Sequence, residues 1–196
     1  MDPADLTELH YIAPIENLGS IMQRGILSHK LASSLQPTSI ANGNIQQRRR
    51  AKAVPGGRSL HDYVNLYFCA RNPMMYKRKA QHASLCVLRI SPEVIHLPGV
   101  LVTDRNAAAD LAIFLAAPAG LSVVNAELTF ARSWTDDDPI EYHIRKSAKL
   151  AEVLVPEKVA FNFVLGAYVS CNSTKNQLEA MGVQINISVN CDLFFQ

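Results

Sequence analysis

The sequence predicts an α+β fold in which roughly six or more short strands combine with about three or four short helices. Short apolar, β-prone runs recur along the chain, and polar turns or short helical stretches separate them. Hydrophobic residues make up 48% of the 196 residues and charged residues 18%, which is ordinary for a globular protein. This length can bury a sizeable core, so we expect a single domain over residues 1–196.

The individual elements follow from hydrophobic periodicity and from turn residues. Strands are predicted at 9–13, 63–69, 85–90, 152–155, 161–169 and 183–189, with further β-prone residues at 94–102. Helices are predicted at 16–23, 106–115, 140–150 and 173–181, with shorter helical turns near 45–52 and 74–81. Gly25 and Gly182 stand where two of these helices should end, and Asp104 is placed to cap the alanine-rich helix.

Positive charge is concentrated in one part of the chain. Residues 17–92 contain twelve lysines and arginines and a single acid, Asp62, although the whole chain has a formal charge of only +2. Such a positive field attracts phosphate-bearing ligands, so we expect the protein to handle a polyanion, a nucleotide or both. The alternative is a basic surface loop that binds no ligand.

Several common functional motifs are absent. The sequence has no GxGxxG or GxxxxGK[ST] phosphate loop, no GxSxG motif and no CxxC pair. Its four cysteines, Cys69, Cys86, Cys171 and Cys191, are widely spaced and lack a histidine at zinc-finger spacing. We therefore expect no metal site, small buried cysteines on strands, and a reducing cytoplasmic location. No apolar run is long enough to span a bilayer, and the acidic N-terminus is not typical of a secretory signal.

Glu152 is the first candidate for chemistry. It begins an apolar strand, and a carboxylate in that position is costly to bury unless it has a partner or a function. The structural alternative is a glutamate at a strand end that points to solvent or pairs with Arg145 or Lys149.

Two further groups could bind a nucleotide. His10 lies in the first predicted strand, and its imidazole offers one donor and one acceptor to a ribose hydroxyl, although a lone histidine is more often structural. Arg48, Arg49 and Arg50 could bind phosphate oxygens through their planar guanidinium groups. Three consecutive arginines cannot all face one site, so at most one or two of them should contact a ligand.

Several segments, taken in order, are similar to one known family. They are HYI at 10–12 with IENLGSI at 15–21, the arginine-bearing segment 39–50, LHDYVNLYFCARNPMMY at 60–76, and the segment 145–156 that contains Glu152. Together they resemble the DarT family of DNA ADP-ribosyltransferase toxins, and the segment 60–76 is the most specific of them. Many DarT sequences have a proline where Asn65 stands, and a more compact segment before the catalytic glutamate than residues 146–150. That segment chooses the acceptor base, so thymidine and guanosine both stay open.

The resemblance implies a compact ADP-ribosyltransferase fold with a split antiparallel β core and short flanking helices. It implies NAD⁺ as a co-substrate, no metal, and transfer of ADP-ribose to a base of single-stranded DNA with release of nicotinamide. A macrodomain antitoxin that reverses the reaction is the implied partner, and no membrane is involved.

The resemblance also implies roles for individual residues. Glu152 and Arg48 would be catalytic, and NAD⁺ would be contacted by His10, Ile12, Asn17 and Arg48. A basic loop at about 31–55 would cover the NAD⁺. Single-stranded DNA would be contacted by Arg71, Met75, Lys77, Arg78, His143 and Arg145.

Three other functions remain open at this point. Two are related NAD⁺-dependent enzymes, an RNA 2′-phosphotransferase and a protein-directed ADP-ribosyltransferase. The third is a small basic nucleic-acid-binding module without catalytic activity, which would account for the positive charge but not for Glu152.

Overall fold

The computed structural model describes residues 1–39 and 43–196. Within these residues the strands are β1 (Leu9–Pro14), β2 (Ile26–Leu27), β3 (Tyr63–Tyr67), β4 (Leu85–Ile90), β5 (Leu101–Thr103), β6 (Phe114–Ala116), β7 (Glu152–Pro156), β8 (Lys158–Val159), β9 (Val164–Val169) and β10 (Ile187–Val189). The helices are α1 (Leu18–Arg24), α2 (His29–Ala32), α3 (Gly43–Ala51), α4 (Pro73–Lys77), α5 (Ala126–Phe130), α6 (Pro139–Ala148) and α7 (Asn172–Ala180). None of the helices in these residues is long and apolar enough to cross a membrane.

The main sheet consists of two halves that barely touch. Its eight strands follow the order β10-β9-β4-β1-β3-β7-β5-β6, and every neighbouring pair is antiparallel except β9 and β10. At the centre, β1 and β3 are joined through a single residue pair, His10 with Tyr67. Beyond that pair the two strands diverge. One half therefore consists of β10, β9, β4 and β1, and the other of β3, β7, β5 and β6. The α+β class and the split antiparallel core predicted from the sequence are confirmed.

Each face of this sheet covers its own apolar cluster, because successive side chains of a strand point to opposite faces. The larger cluster includes Leu9, Leu66, Leu88 and Val153, which belong to the four central strands. Gly25 ends α1 beside this cluster at a φ of 80°, and the carbonyl of Val159 lies where a Cβ would be. Glycine is therefore required here on both conformational and steric grounds.

The opposite face carries one row of polar side chains across the centre of the sheet. Consecutive register pairs join Arg89, His10, Tyr67, Glu152 and Thr103, on β4, β1, β3, β7 and β5 respectively. Side chains that are paired in this way project from the same face of a sheet. The register pair that joins the two half-sheets, His10 with Tyr67, therefore lies within the row that contains Glu152.

The prediction of a helix over 106–115 is wrong. The chain forms turns there and then enters β6, in which Ala116 pairs with Leu101 of β5. The carboxylate of Asp104 accepts a hydrogen bond from the backbone N–H of Ile113 at 2.9 Å, so it closes a turn instead of capping a helix. Turn closure by Asp104 and the pairing of β6 with β5 outweigh the high helix propensity of the alanines in this segment.

Two smaller predictions also need correction. Only Ile187–Val189 of the predicted strand 183–189 is a strand, and only Leu101–Thr103 of the β-prone residues 94–102. Of the four cysteines, Cys86 alone is buried on a strand, whereas Cys191 is exposed and the other two are partly exposed in connecting segments.

Candidate active site at the junction of the two half-sheets

A cavity of about 640 Å³ opens where β1 and β3 diverge. Tyr11 and Ile12 line it from β1, and Asn65 and Tyr67 line it from β3. Its volume lies within the range of small-molecule and cofactor sites. The split in the sheet therefore coincides with a ligand-sized space.

A loop segment is fastened across one side of this cavity by Asn17. The side-chain amide of Asn17 donates to the carbonyl of Thr38 at 2.8 Å, and its oxygen accepts from the N–H of Thr38 at 3.1 Å. The hydroxyl of Thr38 also donates to the carboxylate of Glu16 at 2.8 Å. Residues 36–39 consequently form part of the cavity wall.

A buried ion pair lies at the inner edge of the cavity. The Nη1 atom of Arg49 donates to the two carboxylate oxygens of Glu152, at 3.0 and 3.4 Å. Arg49 is 5% exposed and Glu152 is fully buried. Arg49 lines the cavity and stands between it and the carboxylate.

Burial raises the pKa of Glu152, although Arg49 and the backbone N–H of Ala107 partly offset this effect by stabilising the ionised form. Tyr67, the register partner of Glu152, also has a raised pKa because it is buried and next to this carboxylate. Glu152 is thus a carboxylate in an apolar, water-poor setting that can accept a proton more readily than a surface glutamate.

The second terminal nitrogen of Arg49 is a candidate contact for a ligand oxygen. Within residues 1–39 and 43–196, Nη2 of Arg49 is buried and has no hydrogen-bond partner. A buried guanidinium nitrogen without a partner is costly, and an oxygen atom of a bound ligand would satisfy it. Phosphate oxygens suit this geometry because they accept the paired donors of arginine.

Helix α3 presents Arg49 to the site. Ile45, Gln46 and Arg49 share one face of this helix and all line the cavity. The side chain of Gln46 lies 3.1 Å from Nε2 of His61, and the ring of His61 is 4.1 Å from the ring of His29. These contacts hold α3 against the segment that follows it and fix the position of Arg49.

Comparison with known proteins places the chain in a family. A family model described as "ssDNA thymidine ADP-ribosyltransferase, DarT" matches residues 10–195. The chain belongs to the DarT family. The family predicted from the sequence is confirmed.

One similar protein is a DNA ADP-ribosyl transferase–DNA ADP-ribosyl glycohydrolase fusion protein of Thermosipho africanus, which is 28% identical over 194 residues. The match covers 96% of this chain and 49% of the fusion protein, so the chain spans about half the length of that relative.

Two solved structures of Thermus sp. 2.9 DarT are also similar. The complex with ADP-ribosylated ssDNA has a TM-score of 0.83 at 25% identity and covers 97% of each chain. The complex with NAD⁺ has a TM-score of 0.81 at 25% identity and covers 97% of this chain and 98% of that one.

Within this DarT-family site, Arg48 is not the arginine that meets Glu152. Arg48 and Arg50 are exposed, and Arg49 between them is buried against the carboxylate. Arg49 thus occupies the position beside Glu152 that was expected for Arg48. Ile45 lies four residues before Arg49 and marks the face of α3 that carries it toward the cavity.

His10 lies beside the cavity, not among the described residues that line it. Its Nδ1 is 3.2 Å from the carbonyl oxygen of Phe68 and its Nε2 is 3.0 Å from the carboxylate of Glu8. Glu8 also accepts from Arg89 at 2.6 Å and from the hydroxyl of Tyr168 at 3.1 Å. Both ring nitrogens are thus engaged by protein groups, which argues against the predicted contact between His10 and NAD⁺. Ile12 and Asn17, by contrast, do line the cavity.

The residues predicted to contact DNA are spread over two regions. Near α4, Lys77 is exposed and lines the cavity, and Arg78 is partly exposed. Met75 is fully buried against Tyr67 and Phe194, so the predicted contact between Met75 and DNA does not fit this structure.

Arg71, the remaining residue of this first region, contacts Phe195 and Asp192. Its guanidinium carbon lies 4.0 Å from the centre of the Phe195 ring, and its Nε is 3.4 Å from Asp192.

The other two predicted DNA contacts lie on α6. His143 is exposed, and Arg145 pairs with Asp136 at 3.1 Å. Lys149, just after this helix, is buried and donates to the carbonyls of Thr129 and Ala131 at 3.0 and 2.7 Å. Glu152 is fully buried, and its ion-pair partner among the described residues is Arg49, not Arg145 or Lys149, so the structural alternative stated from the sequence does not fit.

Proposed function

We propose that this chain is an enzyme that transfers ADP-ribose from NAD⁺ to a base of single-stranded DNA and releases nicotinamide. The observation that carries this proposal is the buried carboxylate of Glu152, held by Arg49 at the edge of a cavity large enough for a dinucleotide. Membership of the DarT family and the complexes of Thermus DarT with NAD⁺ and with ADP-ribosylated ssDNA support it.

Glu152 has the properties that this reaction requires. Positive charge develops on the ribose as the bond to nicotinamide breaks, and a carboxylate close to the sugar stabilises that charge. The raised pKa of Glu152 also suits it to accept the proton that the attacking base nitrogen releases.

Arg49 has two functions in this proposal. Its Nη1 orients the Glu152 carboxylate, and its unpartnered Nη2 binds an oxygen of the NAD⁺ diphosphate. Arg49 takes the catalytic role that the family resemblance had given to Arg48.

The remaining cavity lining fits the rest of NAD⁺. Ile12, Ile21 and Leu60 offer apolar surface to the rings of the dinucleotide, and Asn17 fastens the segment 36–39 beside them. We propose that the basic loop at about 31–55 covers the bound NAD⁺ and excludes water. Residues 40–42 of that loop lie outside the described residues.

The description of the matching family model names thymidine, so we propose thymidine as the acceptor base, with guanosine as the alternative. The fusion of a transferase to a DNA ADP-ribosyl glycohydrolase in the Thermosipho relative supports a toxin–antitoxin pair, in which a macrodomain partner removes the modification. We propose the cytoplasm, where DNA and NAD⁺ meet, as the location.

The decisive experiment offers the protein NAD⁺ together with single-stranded DNA, RNA or protein in separate reactions. We expect nicotinamide release and a nucleoside carrying ADP-ribose in the DNA reaction alone, identified by mass spectrometry of the digested product. Modification of RNA or protein instead would favour the related transferases, and the absence of nicotinamide release with every acceptor would favour a binding module.

A further inference from the structure

Helix α6 carries a second cavity that the reaction described above does not use. This cavity has a volume of about 540 Å³. Ile140, His143, Ile144 and Ser147 line it from α6, and Arg105 lines it from the segment after β5. The spacing of the four α6 residues places them on one face of the helix.

This second cavity shares part of its lining with the main one. Lys146 and Leu150 line both cavities. Leu150 comes two residues before Glu152 in the chain, at the start of the connection into β7. A polymer that brings one unit to Glu152 can therefore place an adjacent unit in the second cavity.

The charges around the second cavity suit the phosphate of a nucleic acid at one end. Lys146 lies at the shared wall, donates to the hydroxyl of Tyr142 at 2.9 Å, and has no acidic partner in the described part of the chain. Arg105 is also positive but is bound to Asp104 at 2.7 Å. At the other end, the start of α6 is acidic, with Asp136, Asp137, Asp138 and Glu141. A phosphate chain is thus attracted at Lys146 and repelled about two helical turns away, at the start of α6.

The surface between these two ends is apolar and unusually exposed. Ile140 is 69% exposed and Ile144 is 48% exposed. His143 beside them has its ring 5.4 Å from the ring of Tyr142. An apolar wall with a few polar groups at its edge is suited to the flat face and polar rim of a nucleobase.

We propose that the second cavity holds the base next to the modified one in single-stranded DNA, and that Ile144 helps to select that base. This proposal rests on the proposed function, because it assigns a subsite to the same DNA substrate. The acidic start of α6 restricts the subsite to one neighbouring nucleotide, with its phosphate at Lys146.

The test uses a pool of single-stranded oligonucleotides with one fixed acceptor base and random neighbours. We sequence and compare the modified products of three proteins: the unsubstituted chain, Ile144→Ala and Ile140→Ala. Ile113→Ala is the matched control, since Ile113 is also 48% exposed and lines neither cavity. Thermal unfolding of each variant establishes that it is folded.

We expect the unsubstituted chain and Ile113→Ala to prefer a particular base at one neighbouring position. Ile144→Ala should reduce that preference by about tenfold, the discrimination that an apolar contact of this size provides, and raise the KM for DNA. An unchanged preference, or a loss of activity that is equal for all neighbours, would overturn the subsite while the transferase stands. Failure of the unsubstituted chain to modify any DNA would instead overturn the proposed function.

Discussion

Arg49 and Glu152 are 103 residues apart in the sequence and form a buried ion pair, with Nη1 of Arg49 3.0 Å from Oε2 of Glu152. The pair joins α3 to the first residue of β7, whose register partner Tyr67 also pairs with His10 across the two half-sheets. Because Glu152 is fully buried behind Arg49, a substrate reaches the carboxylate only if Arg49 moves or if the substrate binds to both groups. The unpartnered Nη2 of Arg49 favours simultaneous binding.

Replacement of Glu152 by glutamine should abolish transfer and keep the fold. Glutamine has the same shape and can still accept a hydrogen bond from Arg49, but it cannot stabilise positive charge on the ribose or accept a proton. We expect the rate of ADP-ribose transfer to fall by about 10³-fold or more. Glu157→Gln is the control because its side chain is 68% exposed. Transfer at the original rate in Glu152→Gln would remove this carboxylate from the reaction.

Among the three consecutive arginines, substitution of Arg49 should affect transfer most. Arg49→Ala leaves the Glu152 carboxylate buried without its cation, which costs about 3 kcal/mol of stability. It also removes the side chain that is proposed to bind the NAD⁺ diphosphate. Arg48→Ala and Arg50→Ala, whose side chains are exposed, should retain transfer within a few-fold. Initial rates at saturating NAD⁺, with chemical denaturation of each variant, separate catalysis from stability. A ranking with Arg48→Ala as the most impaired variant would restore the assignment made from the sequence.

The arginine assignment illustrates what the sequence can and cannot predict. Glu152 was predicted because a carboxylate at the start of an apolar run is visible in the sequence. The choice of Arg49 over Arg48 depends on which face of α3 turns inward, and Ile45 is the one local signal for it. Two partners of Glu8, Arg89 and Tyr168, by contrast lie 81 and 160 residues further along the chain, and no local pattern reveals them. The strand β6 was missed for a different reason: the preceding residues are rich in alanine, which favours a helix, whereas the chain forms turns there and then pairs with β5.

The stability of the protein should fall as Glu152 ionises. Burial raises the pKa of Glu152 above its ordinary value of 4.5. Between that value and the raised pKa the folded chain keeps a proton that the unfolded chain has released, so the free energy of unfolding decreases as the pH rises through this window. Glu152→Gln should lose this dependence, whereas Glu157→Gln should keep it. Urea denaturation at a series of pH values above about 4 measures the difference. Parallel pH profiles for the unsubstituted chain and Glu152→Gln would contradict the raised pKa.

Glu8 should produce the opposite effect in a more acidic window. The hydrogen bond from His10, together with the one from Arg89, outweighs burial and lowers the pKa of Glu8 from 4.5 to about 2. Its stabilising contribution is therefore complete above about pH 4.5 and is lost as the pH falls toward 2. Because Glu8 is partly exposed, we expect this contribution to be on the order of 2 kcal/mol. Acid unfolding of Glu8→Gln and of the exposed control Glu93→Gln tests this, and equal acid sensitivity of the two variants would contradict it.

Binding of single-stranded DNA should depend strongly on salt, and two lysines should account for part of that dependence. Lys77 and Lys146 line the main cavity, and neither forms an ion pair within the described residues. Each phosphate contact on a single strand contributes about 0.7 to the slope of log affinity against log salt concentration. Lys77→Gln and Lys146→Gln should therefore each reduce the slope by about that amount and weaken binding similarly for all sequences.

The matched control is Lys175→Gln, because Lys175 lies on α7 and lines neither cavity. Its replacement changes the net charge of the protein by the same unit as the other two substitutions. Fluorescence anisotropy with a labelled oligonucleotide at several salt concentrations gives the three slopes. If Lys175→Gln lowers the slope as much as the cavity variants, the salt dependence reflects net charge alone, and the DNA does not pass over Lys77 and Lys146.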